Sequence, residues 1–240
     1  MAFLKFNYIK FSVNMVRLII NGRKIRGIIT DLDGVILSIR ERIPKHFNVT
    51  AGELELPLVE EGRIRSLIGQ PLEGMIQTLY PNLDSREVES FLEAYRRDYF
   101  ERMKPFIREI PGAGYTIHCL RNHGIKIAYQ SAKPSEMMRK ILEHLRIYKE
   151  SDVIVGGDMV EQNKPYPEII LRLLELLYMR KNQVIAIGDT WYDIEAGNRA
   201  GVMTAAVRTG NYNEETMKKY HPDLTLPEIG SLLNYMRYLK

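Results

Sequence analysis

Short apolar runs and longer amphipathic stretches take turns along most of the chain. From residue 24 the order is KIRGIIT, a long charged block, IKIAYQ, SEMMRKILEHLRI, DVIVGG, PEIILRLLELLYM, QVIAIG, DIEAGNRAG and MTAAVRTG. The brief runs are rich in β-branched residues and bounded by Gly, Asp or Ser, which marks buried strands. Between them apolar positions recur every three to four residues, which marks helices. Strands alternating with such helices predict βαβ units and an α/β fold with a mostly parallel sheet and helices on both faces. Ahead of them, VRLIINGRKIRGIIT reads as strand, Asn21-Gly22 hairpin turn and strand.

The alternation is broken once. Residues 39–106 are helical in pattern and rich in charge, most clearly in SREVESFLEAYRRDYFERM, where Val88, Phe91, Leu92 and Tyr95 share a face. Ser85 is expected to cap that helix. EIPGAGYTIHCLRNHG then gives a Pro-Gly turn, a helix and a stop at Gly124. The block is therefore read as a small α-helical cap domain, 39–106, inserted into a core made of 1–38 and 107–240. Residues 1–14 read as an extension of the core, or as the product of an upstream start codon.

Composition narrows the class. With 45% hydrophobic and 27% charged residues over 240 positions, this is an ordinary globular chain. Its single cysteine, Cys119, rules out a disulfide framework and fits a reducing cytoplasm, with the thiol expected to be buried and inert. The net charge of +4 is scattered through helical patterns, so no basic stripe points to nucleic acid. No apolar run approaches the roughly 18 residues of a membrane span. MAFLKFNYIKFSVN has neither a clean apolar segment nor a cleavage site of small residues. The histidines at 46, 118, 123, 144 and 221 show no metal-ligand spacing.

In an open α/β sheet, ligands bind beyond the carboxyl ends of the strands. After GIIT come Asp31 and Asp33; after IKIAYQ come Ser131, Ala132 and Lys133. DMVEQNKPYP, carrying Lys164, follows DVIVGG, and Asp189 and Asp193 follow QVIAIG. Four carboxylates, a hydroxyl and a lysine thus converge on one edge. Such carboxylates repel strongly unless a cation binds, and hard oxygen donors suit Mg²⁺. A dianionic phosphate then completes the charge balance, held by Lys164, the Ser131 hydroxyl and backbone N–H groups. Gly34 and Gly188 are expected to supply the sharp turns beside the aspartates. Thr190 is expected at a helix N-cap, and Trp191 and Tyr192 either line the cleft or pack. In the cap, Arg63, Arg65 and Gln70 surround GRIRSLIGQPL and are candidates for substrate discrimination on cap closure.

TDLDGV (30–35), YQSAKP (129–134), NKPYPEI (163–169) and IGDTWYDIEAGNRAG (187–201) together resemble the haloacid-dehalogenase-like superfamily of phosphohydrolases. IPGAGYTIHCLRNHGIKIA and SLIGQPLEGMIQTLYP are similar to its phosphoglycolate-phosphatase-like branch with a helical cap. The likeness runs from residue 25 to about residue 230. It implies a Rossmann-like core and a two-step mechanism with Asp31 as nucleophile and Asp33 as general acid and base. Mg²⁺ would be held by Asp31, the Asp33 carbonyl and Asp189, with Asp193 either a direct ligand or behind them, and Ser131 and Lys164 would grip phosphoryl oxygens. The chain departs from the family at Ala132, where an Asn is usual; a side-chain contact towards substrate or cap is lost there.

The resulting expectation is a cytoplasmic Mg²⁺-dependent phosphatase, monomeric or homodimeric, acting on a small phosphate ester such as 2-phosphoglycolate or a sugar phosphate. Neither nucleic acid nor membrane is an expected partner. The alternatives are a phosphomutase of the β-phosphoglucomutase kind, an inorganic pyrophosphatase, or a non-enzymatic module that accepts phosphate on an aspartate. Asp33 opposes the last, because a mere acceptor needs no general acid.

Overall fold

The computed structural model describes residues 16–238, so the expectation for residues 1–14 lies outside them. The chain begins with a hairpin, β1 (Val16–Ile20) and β2 (Arg23–Ile25), paired antiparallel with Ile20 opposite Arg23. Asn21 and Gly22 both take positive φ, 47° and 74°, as the expected tight turn requires. KIRGIIT is not one strand. Beyond Arg26 the chain leaves the hairpin, and β3 (Gly27–Asp31) enters the main sheet.

Next comes a purely helical excursion: α1 (Ile43–Glu53), α2 (Glu61–Ser66), α3 (Leu72–Leu79), α4 (Ser85–Arg97) and α5 (Tyr99–Met103). The alternation then resumes with α6 (Ala113–Asn122), β4 (Lys126–Ser131), α7 (Ser135–His144), β5 (Val153–Gly156), α8 (Glu168–Leu177) and β6 (Val184–Gly188). It ends with α9 (Trp191–Ala200), β7 (Met203–Val207), α10 (Glu214–Lys219), β8 (Leu224–Leu226) and β9 (Met236–Tyr238). β9 pairs with β1 and completes a small three-stranded sheet. The main sheet has six parallel strands in the order β5-β4-β3-β6-β7-β8.

Period-two alternation decides which face each strand residue covers. On β3, Ile28 joins Ile127, Tyr129, Ile185 and Ile187 under α6 and α7. Its neighbour Ile29 joins Ala128, Val155, Val184 and Ala186 under α8 and α9. Both faces are buried, which is why these strands read as continuous apolar runs. The chain runs outward from β3 in one direction through β4 and β5, then in the other through β6, β7 and β8. The strand order therefore switches at β3, the place where such sheets open a crevice.

Two local expectations need correction. Asp84, not Ser85, caps α4: its carboxylate accepts the N–H groups of Arg86 and Glu87 at 2.8 and 2.9 Å, while Glu87 accepts the Asp84 N–H at 2.8 Å. The carboxylate reaches those N–H groups, so the helix starts one residue after it. The helical pattern of 85–103 also divides at Asp98, which closes α4 and opens α5. Val88, Phe91, Leu92 and Tyr95 are all buried as expected. Cys119 is half-buried rather than buried. The inbound and outbound ends of the excursion lie side by side: the Ser38 N–H donates to the Arg108 carbonyl and the Ile110 N–H to the Ile36 carbonyl, each at 2.8 Å.

Candidate active site

β3, β4 and β6 all end at the crevice, and each delivers a polar side chain there. Asp31 is the last residue of β3 and Ser131 of β4; Asp189 follows β6 directly. Lys164 reaches in from the loop after β5. Its ammonium bonds Asp31 Oδ1 at 2.7 Å and Asp193 Oδ1 at 2.6 Å, with all three side chains buried. Asp193 sits in the first turn of α9, where Thr190 at the N-cap gives it an N–H at 3.2 Å and a hydroxyl at 2.6 Å. The Gln130 amide adds a fourth donor to Asp193 at 3.1 Å.

Carboxylate oxygens of Asp31, Asp189 and Asp193 all lie within 4.8 Å of one another. One ammonium does not balance three carboxylates, and the titration behaviour reflects this. Burial pushes Asp31 up to about 7, with Lys164 opposing and Asp193 and Asp33 adding to the rise. Burial, then Asp193 and Asp31, likewise raise Asp189 well above the usual carboxylate range. At Lys164 burial favours the neutral amine, but Asp193 and Asp31 outweigh it and keep the group charged. A compact, buried, oxygen-only donor set with surplus negative charge fits a hard divalent cation such as Mg²⁺.

Two glycines make room for it. Gly34 has φ +76°, and a Cβ there would collide with the Asp189 carboxylate. Gly188 corrects an expectation: it has no positive φ, and it is needed because the Asp193 side chain lies where its Cβ would be. Asp33, half-buried, is ion-paired with the Lys133 ammonium, and the Lys133 N–H donates to Ser131 Oγ at 3.2 Å.

A cavity of about 530 Å³ opens over these groups. Asp31, Asp33, Ser131, Ala132, Lys164 and Asp189 line it from the sheet edge, and Gln70, Leu72, Met75, Tyr95 and Tyr99 from the helical excursion. Of the three residues expected to discriminate substrate, Gln70 alone lines it. Arg65 turns away to pair with Glu41 at 3.1 Å and Glu61 at 3.4 Å, and Arg63 flanks a separate cavity beside Leu79–Leu83. Trp191 packs rather than lining the cleft, stacked on Tyr192 and Tyr220 at 3.8 and 4.9 Å.

Gln130, Tyr99 and Asn211 belong to the site and were not singled out from sequence, and Lys133, placed at its strand end there, was given no role. Asn211 donates its backbone N–H to Asp189 Oδ2. A signal for it existed: RTGNYNEE follows β7, and inspecting the strand ends finds it once that strand is included.

A family model described as haloacid dehalogenase-like hydrolase matches residues 28–207. Over 211 residues the chain is 31% identical to a phosphoglycolate phosphatase of Aquifex aeolicus (strain VF5), covering 88% of this chain and 96% of the relative. Over 216 residues it is also 31% identical to the pyrophosphatase PpaX of Listeria monocytogenes serotype 4a (strain HCC23), covering 89% and 97%. Among solved structures, a haloacid dehalogenase-like family hydrolase from Streptococcus pneumoniae superposes with a TM-score of 0.75 at 22% identity, covering 88% of this chain and 98% of that one.

Proposed function

The chain belongs to the haloacid dehalogenase-like hydrolase family, and from that premise we propose a Mg²⁺-dependent phosphatase of small phosphate esters that works through an aspartyl-phosphate on Asp31. The observation that carries this reading is the position of Asp31. It lies at the switch point of the sheet, tethered through one oxygen by Lys164, on the wall of a cavity that also holds Asp33 and Ser131.

In the first step an Asp31 oxygen attacks phosphorus and the bond from phosphorus to the ester oxygen breaks. Asp33 gives its proton to the departing oxygen. In the second, Asp33 takes a proton from water as that water attacks phosphorus, and the Asp31 carboxylate is released. Lys164 and the Ser131 hydroxyl hold phosphoryl oxygens throughout. Lys133 keeps the Asp33 carboxylate turned towards the cavity. Asp31, Asp189 and the Asp33 carbonyl would hold Mg²⁺, which supplies the positive charge that lets an anionic nucleophile meet an anionic phosphate. Asp193 supports them from behind, since its oxygens already take Lys164, Gln130 and Thr190.

Residues 39–106 act as a cap, closing for the first step and admitting water for the second. A cavity of about 530 Å³ walled on one side by the helical excursion favours small esters, with 2-phosphoglycolate the leading candidate. The Listeria relative's name makes pyrophosphate the second reading. The deciding experiment measures kcat/KM over a panel of phosphate esters with pyrophosphate and hexose phosphates included. A small organic monoester should rank first. Preference for pyrophosphate would install the second reading; isomerised hexose phosphate without phosphate release, or a preference for phosphoproteins, would overturn the proposal.

A further inference from the structure

The segment after β7 bonds to four separate parts of the site. The Thr209 hydroxyl donates to the Gly34 carbonyl at 2.6 Å, beside Asp33. The Gly210 carbonyl accepts from the Arg40 guanidinium at 2.8 Å, on the connection into the helical excursion. Asn211 then works in two directions at once. Its backbone N–H holds Asp189, and its side-chain amide donates to the carbonyls of Arg65 and Ile68 at 2.9 and 3.4 Å. Those carbonyls lie in the last turn of α2 and in the connection to α3 that follows it, and this 65–70 turn also carries Gln70 into the cavity.

A second contact seats the same turn. Gly69 has φ +112°, and a Cβ there would come within 3.0 Å of the Thr190 side chain, whose hydroxyl is bonded to Asp193. The turn thus rests on the two loops that supply the carboxylates Asp189 and Asp193. One residue, Asn211, joins it to the first of them through its own backbone N–H and side-chain amide.

We infer that Asn211 is a positioning residue that couples the seating of the 65–70 turn to the orientation of Asp189. When the turn is seated, the Asn211 amide is fixed and its N–H stays aimed at Asp189. When the turn lifts, that N–H is freed and Asp189 loses its only backbone donor among the described residues. Such coupling is reciprocal, so whatever fixes Asp189 must also favour the seated turn. The inference rests on the proposed function for its catalytic meaning, but the coupling itself is a property of the fold.

The test uses Asn211→Ala, which removes the side-chain bonds and keeps the backbone N–H, and Gly69→Ala, which disturbs the seat from the opposite side. Amide exchange is followed by NMR in chelator without substrate, and Mg²⁺ affinity by calorimetry. In Asn211→Ala the amides of Leu67, Ile68, Gln70 and residue 211 should lose protection together, and the Mg²⁺ dissociation constant should rise about fivefold or more. Gly69→Ala should weaken Mg²⁺ to a similar degree with Asn211 intact, and the double variant should be no weaker than the worse single one. KM should rise more than kcat falls. The inference is overturned if residue 211 stays protected while the turn loosens, or if Mg²⁺ affinity is unchanged in either variant. The milder Asn211→Ser, too short to span both carbonyls, gives the same readouts should alanine unfold the loop. Exchange protection needs neither metal nor turnover, so it decides the coupling even if Asp31→Asn were to disprove the catalytic reading.

Discussion

Replacing Asp31 by asparagine in the metal-free protein should make the fold less sensitive to rising pH. The Asp31 carboxyl is 5% exposed and pushed up from 3.8 to about 7, chiefly by burial. Between those values the folded chain holds a proton that the unfolded chain has released, so folding stability falls as pH climbs from about 4 to about 7. At about 1.4 kcal/mol for each pH unit, the loss totals about 4 kcal/mol. That is a large share of the roughly 5–15 kcal/mol that holds a typical domain together. The substituted amide cannot ionise but can still accept a bond from Lys164, so it removes the titration and keeps the shape. Asp189, raised partly by Asp31, adds to the difference in the same direction. The assay is urea unfolding of both proteins in chelator at steps from pH 4 to 8, with the stabilities subtracted. Wild type minus variant should fall by about 4 kcal/mol across that range, leaving the inactive protein the more stable one at neutral pH. A flat difference, or one that rises with pH, would show that Lys164 satisfies the ionised carboxylate and that burial is not the dominant effect.

Chelated protein should be inactive on p-nitrophenyl phosphate and recover with Mg²⁺ but not Ca²⁺, whose larger coordination shell suits this compact set poorly; full activity in excess chelator would sink the metal assignment. Asp31→Asn should lower turnover at least about a hundredfold, or about 2.7 kcal/mol in barrier, and a smaller loss would move the nucleophile elsewhere. Lys164→Met should abolish turnover and, by leaving Asp31 and Asp193 buried without their cation, cost about 3–5 kcal/mol in denaturant stability at neutral pH. Gln70→Ala should alter KM across the ester panel while Arg63→Ala leaves kcat/KM within about twofold, a difference of under about 0.5 kcal/mol; the reverse ranking would mean that the α2 face turns inward during turnover.

The residues legible in advance share one property: their neighbours in sequence announce them. Asp31 and Ser131 end, and Asp189 directly follows, largely buried strands of a parallel sheet, so an apolar run breaking into a polar residue locates them. Lys133 and Asn211 also follow strand ends, but the roles they play there were out of reach. Their partners, Asp33 and the Arg65 carbonyl, stand 100 and 146 residues away in the chain, and no local pattern encodes that pairing. That Arg63 and Arg65 point away from the main cavity was not legible, because α2 is only six residues long, too short for periodicity to say which side faces inward. The three-residue strands β8 and β9 carry too few positions to show alternation, and neighbouring strands alone hold them extended.

The pairing of Ser38 with Arg108 has a bearing on how such a chain can be assembled and altered. Because the two crossings run side by side, the excursion between them departs and returns at one spot on the core surface. The core senses a short gap whether the chain between is a brief turn or a whole helical block, and lengthening such a loop adds closure entropy only logarithmically. The excursion is thus portable. A different helical block with closely spaced ends can be exchanged at Ser38 and Arg108 without moving β3 or the carboxylate at its tip. Such a graft leaves Asp31 where it was, and it keeps Asp189 in place when it also offers the Asn211 amide the carbonyl partners that Arg65 and Ile68 supply.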